Sequence, residues 1–151
     1  MKTRGFDVVR SWQNKGISLP VRKTAASAGY DFEAGESVTI RPDEQATVPT
    51  GIKAYMQPDE VLTIHIRSIM AVQPQLVLVN SVGIIDADYY DNPDNEGHIY
   101  IALWNRGSEP FAIEKGDRIA QGIFGRYLVA DDDSAGQGAE RQGGFGSTGK
   151  G

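Results

Sequence analysis

One acidic residue stands where it could act on a water molecule. Asp86 ends an apolar run, so its carboxylate could be partly withdrawn from solvent and serve as a general base. The pattern alone favours a plainer role, an aspartate that caps the turn of a hairpin. Two further groups could hold an anion: Arg67 with Ser68, which follow a predicted strand, and Arg118, which follows a Gly-Asp turn.

The glycine-rich C-terminal segment carries the other candidate chemistry. Residues 136–151 contain seven of the 18 glycines, and Arg141, Ser147 and Thr148 lie among them. Backbone N–H groups, hydroxyls and a fixed positive charge are what a phosphate group requires. Phe145 is an isolated aromatic residue there, which suits an arm that closes over a flat ring. A disordered tail is the competing interpretation of this composition.

Other reactive residues offer less. His65 and His98 are the two histidines, and neither has a partner at the spacing of a metal site, so structural roles are favoured for both. The acidic run at residues 131–133 is expected to be a solvated charge cluster. The chain has no cysteine, which excludes disulfides, thiol nucleophiles and thiolate metal sites.

The elements that must position these residues follow a period of two. Apolar and polar residues alternate around residues 52–56, 62–67 and 98–103, which predicts half-buried strands. Residues 76–79, and residues 123–124 with 127–129, are continuously apolar and predict strands that are covered on both faces. One short helix is expected, at residues 68–72. Many short strands with turns between them predict an all-β fold, a sandwich, barrel or jelly roll.

Length and charge limit the function. A chain of 151 residues is expected to form one domain with a real core, at residues 1–133, followed by an arm at residues 134–151. The net charge of −5 argues against a nucleic-acid-binding protein. No apolar run approaches the roughly 18 residues that a membrane span needs. We therefore expect a soluble, cytoplasmic protein without membrane or nucleic-acid partners.

Taken together, five ordered segments resemble the motifs of the trimeric dUTPase family, and they span nearly the whole chain. Each segment alone is weak evidence, whereas five in the right order are specific. The segments are Ala28-Gly29-Tyr30-Asp31-Phe32, Arg67-Ser68-Ile69-Met70-Ala71, Gly83-Ile84-Ile85-Asp86-Ala87-Asp88-Tyr89, Gly116-Asp117-Arg118-Ile119-Ala120-Gln121, and Arg141 with Gly143-Gly144-Phe145-Gly146-Ser147-Thr148-Gly149.

The resemblance implies a fold and an activity. It implies a jelly-roll-like β-barrel subunit with one short helix and a flexible C-terminal arm. It also implies a homotrimer with active sites between subunits, and Mg²⁺-dependent hydrolysis of dUTP to dUMP and pyrophosphate. The magnesium ion would be held mainly by the substrate's phosphates, with Asp31 supporting its water shell.

The same resemblance implies a role for each matching residue. Asp86 would activate the water that attacks the α-phosphate, and Tyr89 would pack under the deoxyribose and exclude a 2′-hydroxyl. The uracil would be bound by the hairpin around Asn80, Gly83 and Ile85, with Phe145 closing over it. The residues that match phosphate-contacting positions are Arg67, Ser68, Ile69, Gln121, Arg141, Ser147 and Thr148.

The chain departs from the family pattern at three places. Ile69 replaces the usual small residue after Arg-Ser, and either the loop tolerates it or triphosphate binding or turnover is weakened. Arg141 lies one residue closer to Phe145 than is common. Residues 90–96 form a longer loop, either a tolerated insertion, which is favoured, or a surface for a regulatory protein partner.

Two alternative functions are also compatible with the sequence. One is a nucleotide-sensing or regulatory binding protein with weakened turnover. The other, less favoured, is an enzyme similar to dCTP deaminases, which share the core but lack the glycine-rich closing arm.

Overall fold

The computed structural model describes residues 2–73, 75–135 and 140–142. In this part of the chain the regular secondary structure is almost entirely β. The strands are β1 (Gly5–Val8), β2 (Val21–Arg22), β3 (Tyr30–Glu33), β4 (Val38–Ile40), β5 (Gln45–Pro49), β6 (Ile52–Tyr55), β7 (Glu60–Ile66), β8 (Leu76–Leu78), β9 (Gly83–Asp86), β10 (Tyr100–Asn105), β11 (Phe111–Ile113) and β12 (Arg118–Arg126). The helix α1 spans Ser68–Val72, as predicted, and short 3-10 turns lie at Arg10–Trp12 and Ala87–Tyr89.

The strands form antiparallel sheets around one core. The largest sheet has the order β2-β3-β12-β7-β9, and a second has the order β5-β10-β8. Two strand pairs, β1-β6 and β11-β4, complete the architecture. Most neighbours in these sheets are distant in sequence, which is typical of a jelly roll rather than of simple hairpins. The predicted all-β, jelly-roll-like fold is confirmed.

Side-chain alternation fills the core. In β7, Leu62 and Ile64 are buried, and in β10, Ile101 and Leu103 are buried, as the period of two predicted. The ring of Phe6 packs edge-on against Phe32 at 5.5 Å between centroids. The two largest sheets therefore share a continuous apolar interior, which holds the strand ends that carry the candidate site residues.

The prediction of a strand covered on both faces at residues 127–129 was wrong. β12 ends at Arg126, whose partner is Glu60, the first residue of β7, so no further residue of β7 can pair with Tyr127. The Tyr127 amide and hydroxyl instead donate hydrogen bonds to the carbonyls of Asp59 and Pro58. Leu128 is 97% exposed.

The prediction of a strand covered on both faces at residues 76–79 was wrong on one face. Leu76 and Leu78 are buried, whereas Val77 is only partly buried and Val79 is exposed in the single chain. Within the described residues, no helix is long and apolar enough to cross a membrane.

Candidate active site

The strands β8 and β9 do not pair with each other: β8 pairs with β10, and β9 pairs with β7. With these partners they enclose a cavity of about 160 Å³, which we call the hairpin cavity after the hairpin that was expected for this segment. Its lining residues come from these four strands, the turn after β9 and the C-terminal arm. They are Ile64, Leu78, Asn80, Gly83, Ile84, Ile85, Asp86, Tyr89, Tyr100, Ile101, Ala102 and Arg141.

The register of β9 against β7 decides which atoms of β9 face the cavity. β9 pairs with β7 so that Gly83 lies opposite Ile64. A Cβ atom at Gly83 would lie 2.9 Å from the Cβ of Ile64, so only glycine allows this close approach. The turn between the strands is tight: the amide of Ser81 donates to the carbonyl of Leu78 at 3.1 Å, and Ser81 has a φ of 66°. This turn leaves backbone groups rather than charged side chains beside the apolar wall.

Asp86 lies at the mouth of the hairpin cavity, where β9 ends. Its side chain is 51% exposed, so the carboxylate is less desolvated than the apolar run suggested. It forms an ion pair with Arg141, whose Nε also donates to Asp88 Oδ1 at 2.7 Å. The guanidinium of Arg141 lies 5.9 Å from the centroid of the Tyr89 ring. One cation of the arm therefore covers both carboxylates beside the cavity.

Tyr89 follows Asp86 in the 3-10 turn Ala87–Tyr89 and is 4% exposed. Its hydroxyl donates to the carbonyl of His98 at 2.6 Å and accepts from Nδ2 of Asn95 at 2.9 Å. Burial raises the pKa of the Tyr89 phenol, so the group remains a neutral donor at physiological pH. These hydrogen bonds hold the ring in one place at the wall of the hairpin cavity, which Asp86 also lines.

A second concave surface, the Arg67 cleft, gathers the other predicted residues. Its volume is about 390 Å³, and it is lined by Lys23, Ser27, Gly29, Asp31, Arg67, Ser68, Ile69 and Gln121. Among the described residues, the hairpin cavity and the Arg67 cleft have no lining residue in common.

Asp31 in the Arg67 cleft lies between two guanidinium groups. Its carboxylate oxygens are 3.9 Å from Arg67 Nε and 3.6 Å from Arg118 Nη1. Arg67 also donates from Nη1 to the carbonyl of Arg118 at 3.2 Å. These contacts fix the two arginines at one end of the cleft, where their combined positive charge exceeds the single negative charge of Asp31.

Gln121 and Ile69 shape the rest of the cleft. β3 and β12 place Gln121 opposite Asp31, and a Cβ atom at Gly29 would lie 2.3 Å from Oε1 of Gln121. Gly29 therefore makes room for the amide side chain. Ile69, in the first turn of α1, is 59% exposed and presents an apolar surface to the cleft.

The structure thus groups the predicted residues into two sets. Asn80, Gly83, Ile85, Asp86 and Tyr89 meet at the hairpin cavity, and Arg67, Ser68, Ile69 and Gln121 meet with Asp31 in the other cleft. Arg141, which was expected to contact phosphate, lies with the first set. Phe145, Ser147 and Thr148 lie outside the described residues.

Sequence reasoning missed several members of the site. Ile64 and Ile101 were predicted to face inward but were not assigned to a cavity. Lys23 lines the Arg67 cleft without any local signal in the sequence. Asn95 was treated as part of a turn-rich loop, and its contact with Tyr89 depends on how that loop folds back.

The loop at residues 90–96 is tied into the fold. Lys53, which the alternation of β6 placed among the outward residues, has a side chain only 8% exposed and binds Asp91 at 2.5 Å and Glu96 at 2.6 Å. Burial alone would raise the pKa of the Glu96 carboxyl. The Lys53 ammonium and two contacts from Arg10, one from its amide and one from its side chain, instead lower this pKa to about 2. The hydroxyl of Tyr90 donates to Asp7 at 2.6 Å. These contacts favour a structural role for the loop at residues 90–96 over a role as a free surface that recognises a partner protein.

A divalent cation would find oxygen donors in the Arg67 cleft but no cage of acidic side chains. Within the described residues, no group of three or more His, Cys, Asp or Glu side chains is placed to hold a metal ion. Asp31, Ser68 and Gln121 supply hard oxygen atoms, which suit Mg²⁺. The donor set therefore fits an ion that is brought and largely coordinated by an anionic ligand.

Comparison with known proteins identifies the family. The family model described as dUTPase matches residues 15–149. The deoxyuridine 5′-triphosphate nucleotidohydrolase of Lactococcus lactis subsp. lactis is 54% identical over 149 residues, which is 99% of each chain.

Solved structures agree. The crystal structure of dUTPase from Streptococcus mutans is 43% identical and has a TM-score of 0.79, covering 84% of this chain and 98% of that one. A mutant dUTPase from phage phi11 of S. aureus, in which a structural Mg(II) ion is coordinated, is 20% identical with a TM-score of 0.73 and shares the fold. The chain described here belongs to the dUTPase family.

Proposed function

We propose that this chain hydrolyses dUTP to dUMP and pyrophosphate. The observation that carries the proposal is the position of Asp86, a half-exposed carboxylate at the mouth of an apolar cavity whose wall includes the backbone of β9. Uracil is flat and is recognised through its amide-like edge. A strand backbone offers hydrogen-bond donors and acceptors that match this edge, so no charged side chain is needed to bind the base.

Asp86 acts as the general base in this proposal. Its carboxylate accepts a proton from a water molecule, and the oxygen of that water attacks the α-phosphorus. The bond from the α-phosphorus to the bridging oxygen breaks, and pyrophosphate leaves with its electron pair. Arg141, which pairs with Asp86 and Asp88, exchanges these carboxylates for phosphate oxygens when the triphosphate binds. This exchange frees Asp86 for the water.

The phosphates belong in the Arg67 cleft. Arg67, Ser68, Ile69 and Gln121 line it, and Arg118 adds charge behind Asp31. Magnesium, coordinated mainly by the phosphates with Asp31 in its water shell, would offset the negative charge of the departing pyrophosphate. Because this cleft and the hairpin cavity are separate surfaces of one chain, we propose a homotrimer in which neighbouring subunits bring the two together, with the cytoplasm as its location.

The arm at residues 134–151 completes the site in this proposal. Phe145 stacks over the uracil, and Ser147 and Thr148 join Arg141 on the β- and γ-phosphates. Closure excludes water and adds positively charged and N–H donors where the leaving group develops charge.

The test is pyrophosphate release, measured in parallel with dUTP, dCTP, dTTP and UTP. We expect release from dUTP, and we expect the Asp86→Asn variant to be slower by about 10²- to 10⁴-fold, the usual contribution of a general base. The variant's circular dichroism and oligomeric state should match the parent's.

Other outcomes identify the alternatives. Formation of dUTP from dCTP without pyrophosphate release would indicate a deaminase. Tight dUTP binding with negligible turnover would indicate a nucleotide sensor. Equal hydrolysis by the Asp86→Asn variant would overturn the assignment of Asp86.

A further inference from the structure

The loop after Tyr89 folds back onto the Tyr89 side chain. Asn95 lies in this loop, and its Nδ2 donates to the Tyr89 hydroxyl at 2.9 Å. The Oδ1 atom of Asn95 accepts two hydrogen bonds, from Asn92 Nδ2 at 2.8 Å and from the Gly97 amide at 3.0 Å. Because both neighbours of Oδ1 are donors, the amide group can take only the orientation that points Nδ2 at Tyr89.

The Tyr89 hydroxyl makes two hydrogen bonds in this arrangement. Its single proton goes to the carbonyl of His98, and one lone pair accepts from Asn95. Asn92 anchors the other side of the loop, since its Nδ2 also donates to the main-chain carbonyl of Tyr89 at 2.7 Å. The same loop therefore fixes both the main chain of Tyr89 and its hydroxyl group.

The position of the ring matters because of what lies on each side of it. Tyr89 lines the hairpin cavity together with Asp86. In a nucleotide whose base fills that cavity and whose α-phosphate reaches Asp86, the sugar is the part that lies between, next to the ring. Because protein interiors are closely packed, a displacement of this ring changes whether a hydroxyl group fits beside it.

From these contacts we propose that Asn95 is a positioning residue, which fixes the Tyr89 ring against the sugar and sets the selectivity for 2′-deoxyribose over ribose. The inference rests on the proposed function, because it assigns the sugar to the space beside Tyr89. Asn95 itself lines neither the hairpin cavity nor the Arg67 cleft and acts through the tyrosine hydroxyl.

Asn95→Asp is the variant that tests this role most directly, because it removes only the donor to the Tyr89 hydroxyl. It keeps an oxygen for Asn92 and Gly97 and preserves the size of the side chain. Its second oxygen cannot donate, so it faces the lone pairs of the Tyr89 hydroxyl or draws the proton away from His98. Either change moves the ring.

The experiment is a double-mutant cycle of the parent, Asn95→Asp, Tyr89→Phe and the double variant. For each protein, kcat/KM is measured with dUTP and with UTP. We expect each single variant to favour UTP about fivefold to tenfold more than the parent does, the ratio that one hydrogen bond of this kind provides. The double variant should equal Tyr89→Phe, because Asn95 then has no hydroxyl to position.

The cycle also controls for the added charge and for folding. If Asn95→Asp shifts the UTP to dUTP ratio by the same factor in the Tyr89→Phe background, its effect does not pass through the hydroxyl and the inference is wrong. An unchanged ratio in folded Asn95→Asp, verified by thermal unfolding, would overturn it as well. Asn95→Ala, which carries no charge, should reproduce the shift if Asn95→Asp fails to fold. A parent that does not hydrolyse dUTP contradicts the proposed function instead.

Discussion

Ile69 is the residue at which this chain differs most from what a phosphate-binding loop needs. Its side chain is branched, apolar and 59% exposed, and it lines the cleft that contains Arg67 and Ser68. A phosphate group is best approached by small residues that leave backbone N–H groups accessible. Ile69 therefore crowds the surface that is proposed to hold the triphosphate.

Replacing Ile69 by serine is expected to raise the rate of dUTP hydrolysis. Relief of about 1 kcal/mol of crowding in the transition state corresponds to about fivefold in kcat/KM. Serine is preferred to glycine for this test because glycine also weakens helix α1 by about 1 kcal/mol. Steady-state pyrophosphate release measures the effect. Identical kinetics of Ile69→Ser, Ile69→Gly and the parent would contradict this role of Ile69.

Single residues could be named as candidates where their own type carries the chemistry. Arg67 follows a predicted strand and Arg141 lies among the tail glycines, which are local signals. The local pattern of Asp86 favoured a turn cap, and the family resemblance implied its role as a base. Asn95 could not be named, because an asparagine in a turn-rich loop is ordinary. Its importance comes from a hydrogen bond to a residue six positions away, which only the folded loop creates.

At the level of elements, the turn between β5 and β6 closes onto the segment before β10. Gly51 adopts a φ of 74°, and its amide donates to Nε2 of His98 at 2.8 Å. The Thr50 hydroxyl donates to the carbonyl of Ile99 at 2.6 Å. Burial lowers the pKa of His98 to about 4, so the ring accepts the Gly51 hydrogen bond in its neutral form.

This contact predicts a loss of stability in mild acid. The unfolded chain binds a proton at His98 below a pKa of about 6.5, while the folded chain binds it only near pH 4. The free energy of unfolding should therefore fall by about 2 kcal/mol between about pH 7 and pH 5 from this group. Urea denaturation across this range measures the loss.

His98→Gln provides the control. Its amide oxygen can still accept from Gly51 but does not titrate, so we expect a flatter profile over the same range. The carboxylates do not interfere, because the lowered pKa of Glu96 costs stability only as the pH falls from about 4.5 towards 2. An equally steep profile in the variant would show that another group is responsible.

The elements themselves were largely predictable from periodicity, and their ends were not. Alternation in β7 and β10 and the helix at Ser68–Val72 were confirmed. The apolar residues after Arg126 have the composition of a strand, yet a strand needs a partner, and β7 begins too late to supply one. Pairing limits of this kind depend on the whole sheet and leave no mark in the local sequence.

At the level of the whole molecule, the C-terminal arm is attached at its described residues by polar contacts on the surface of the site. Arg141 pairs with Asp86 and Asp88, and the carbonyl of Gln142 accepts from the Asp94 amide at 3.1 Å. Asp86 and Asp88 are more than half exposed. The Arg141 side chain is 18% exposed, but both of its carboxylate partners are open to solvent, and ion pairs with solvent-exposed carboxylates contribute little to folding stability.

Truncation after Ala139 is therefore expected to leave the core folded and assembled. It should reduce dUTP turnover by about 10²-fold or more, because the protein loses hydrogen-bond donors that are positioned to contact the leaving group. Light scattering and thermal unfolding report the assembly and the fold, and pyrophosphate release reports the turnover. Loss of folding on truncation would mean that the arm is a structural element rather than part of the site.

The separation of the hairpin cavity from the Arg67 cleft has a genetic consequence. In the proposed trimer, a subunit damaged at Asp86 still offers an intact Arg67 cleft to its neighbour, and a subunit damaged at Arg67 still offers an intact hairpin cavity. Two alleles that are each inactive alone would then restore partial activity when expressed together. Damage within one half of the site would belong to one complementation group, and damage within the other half to a second.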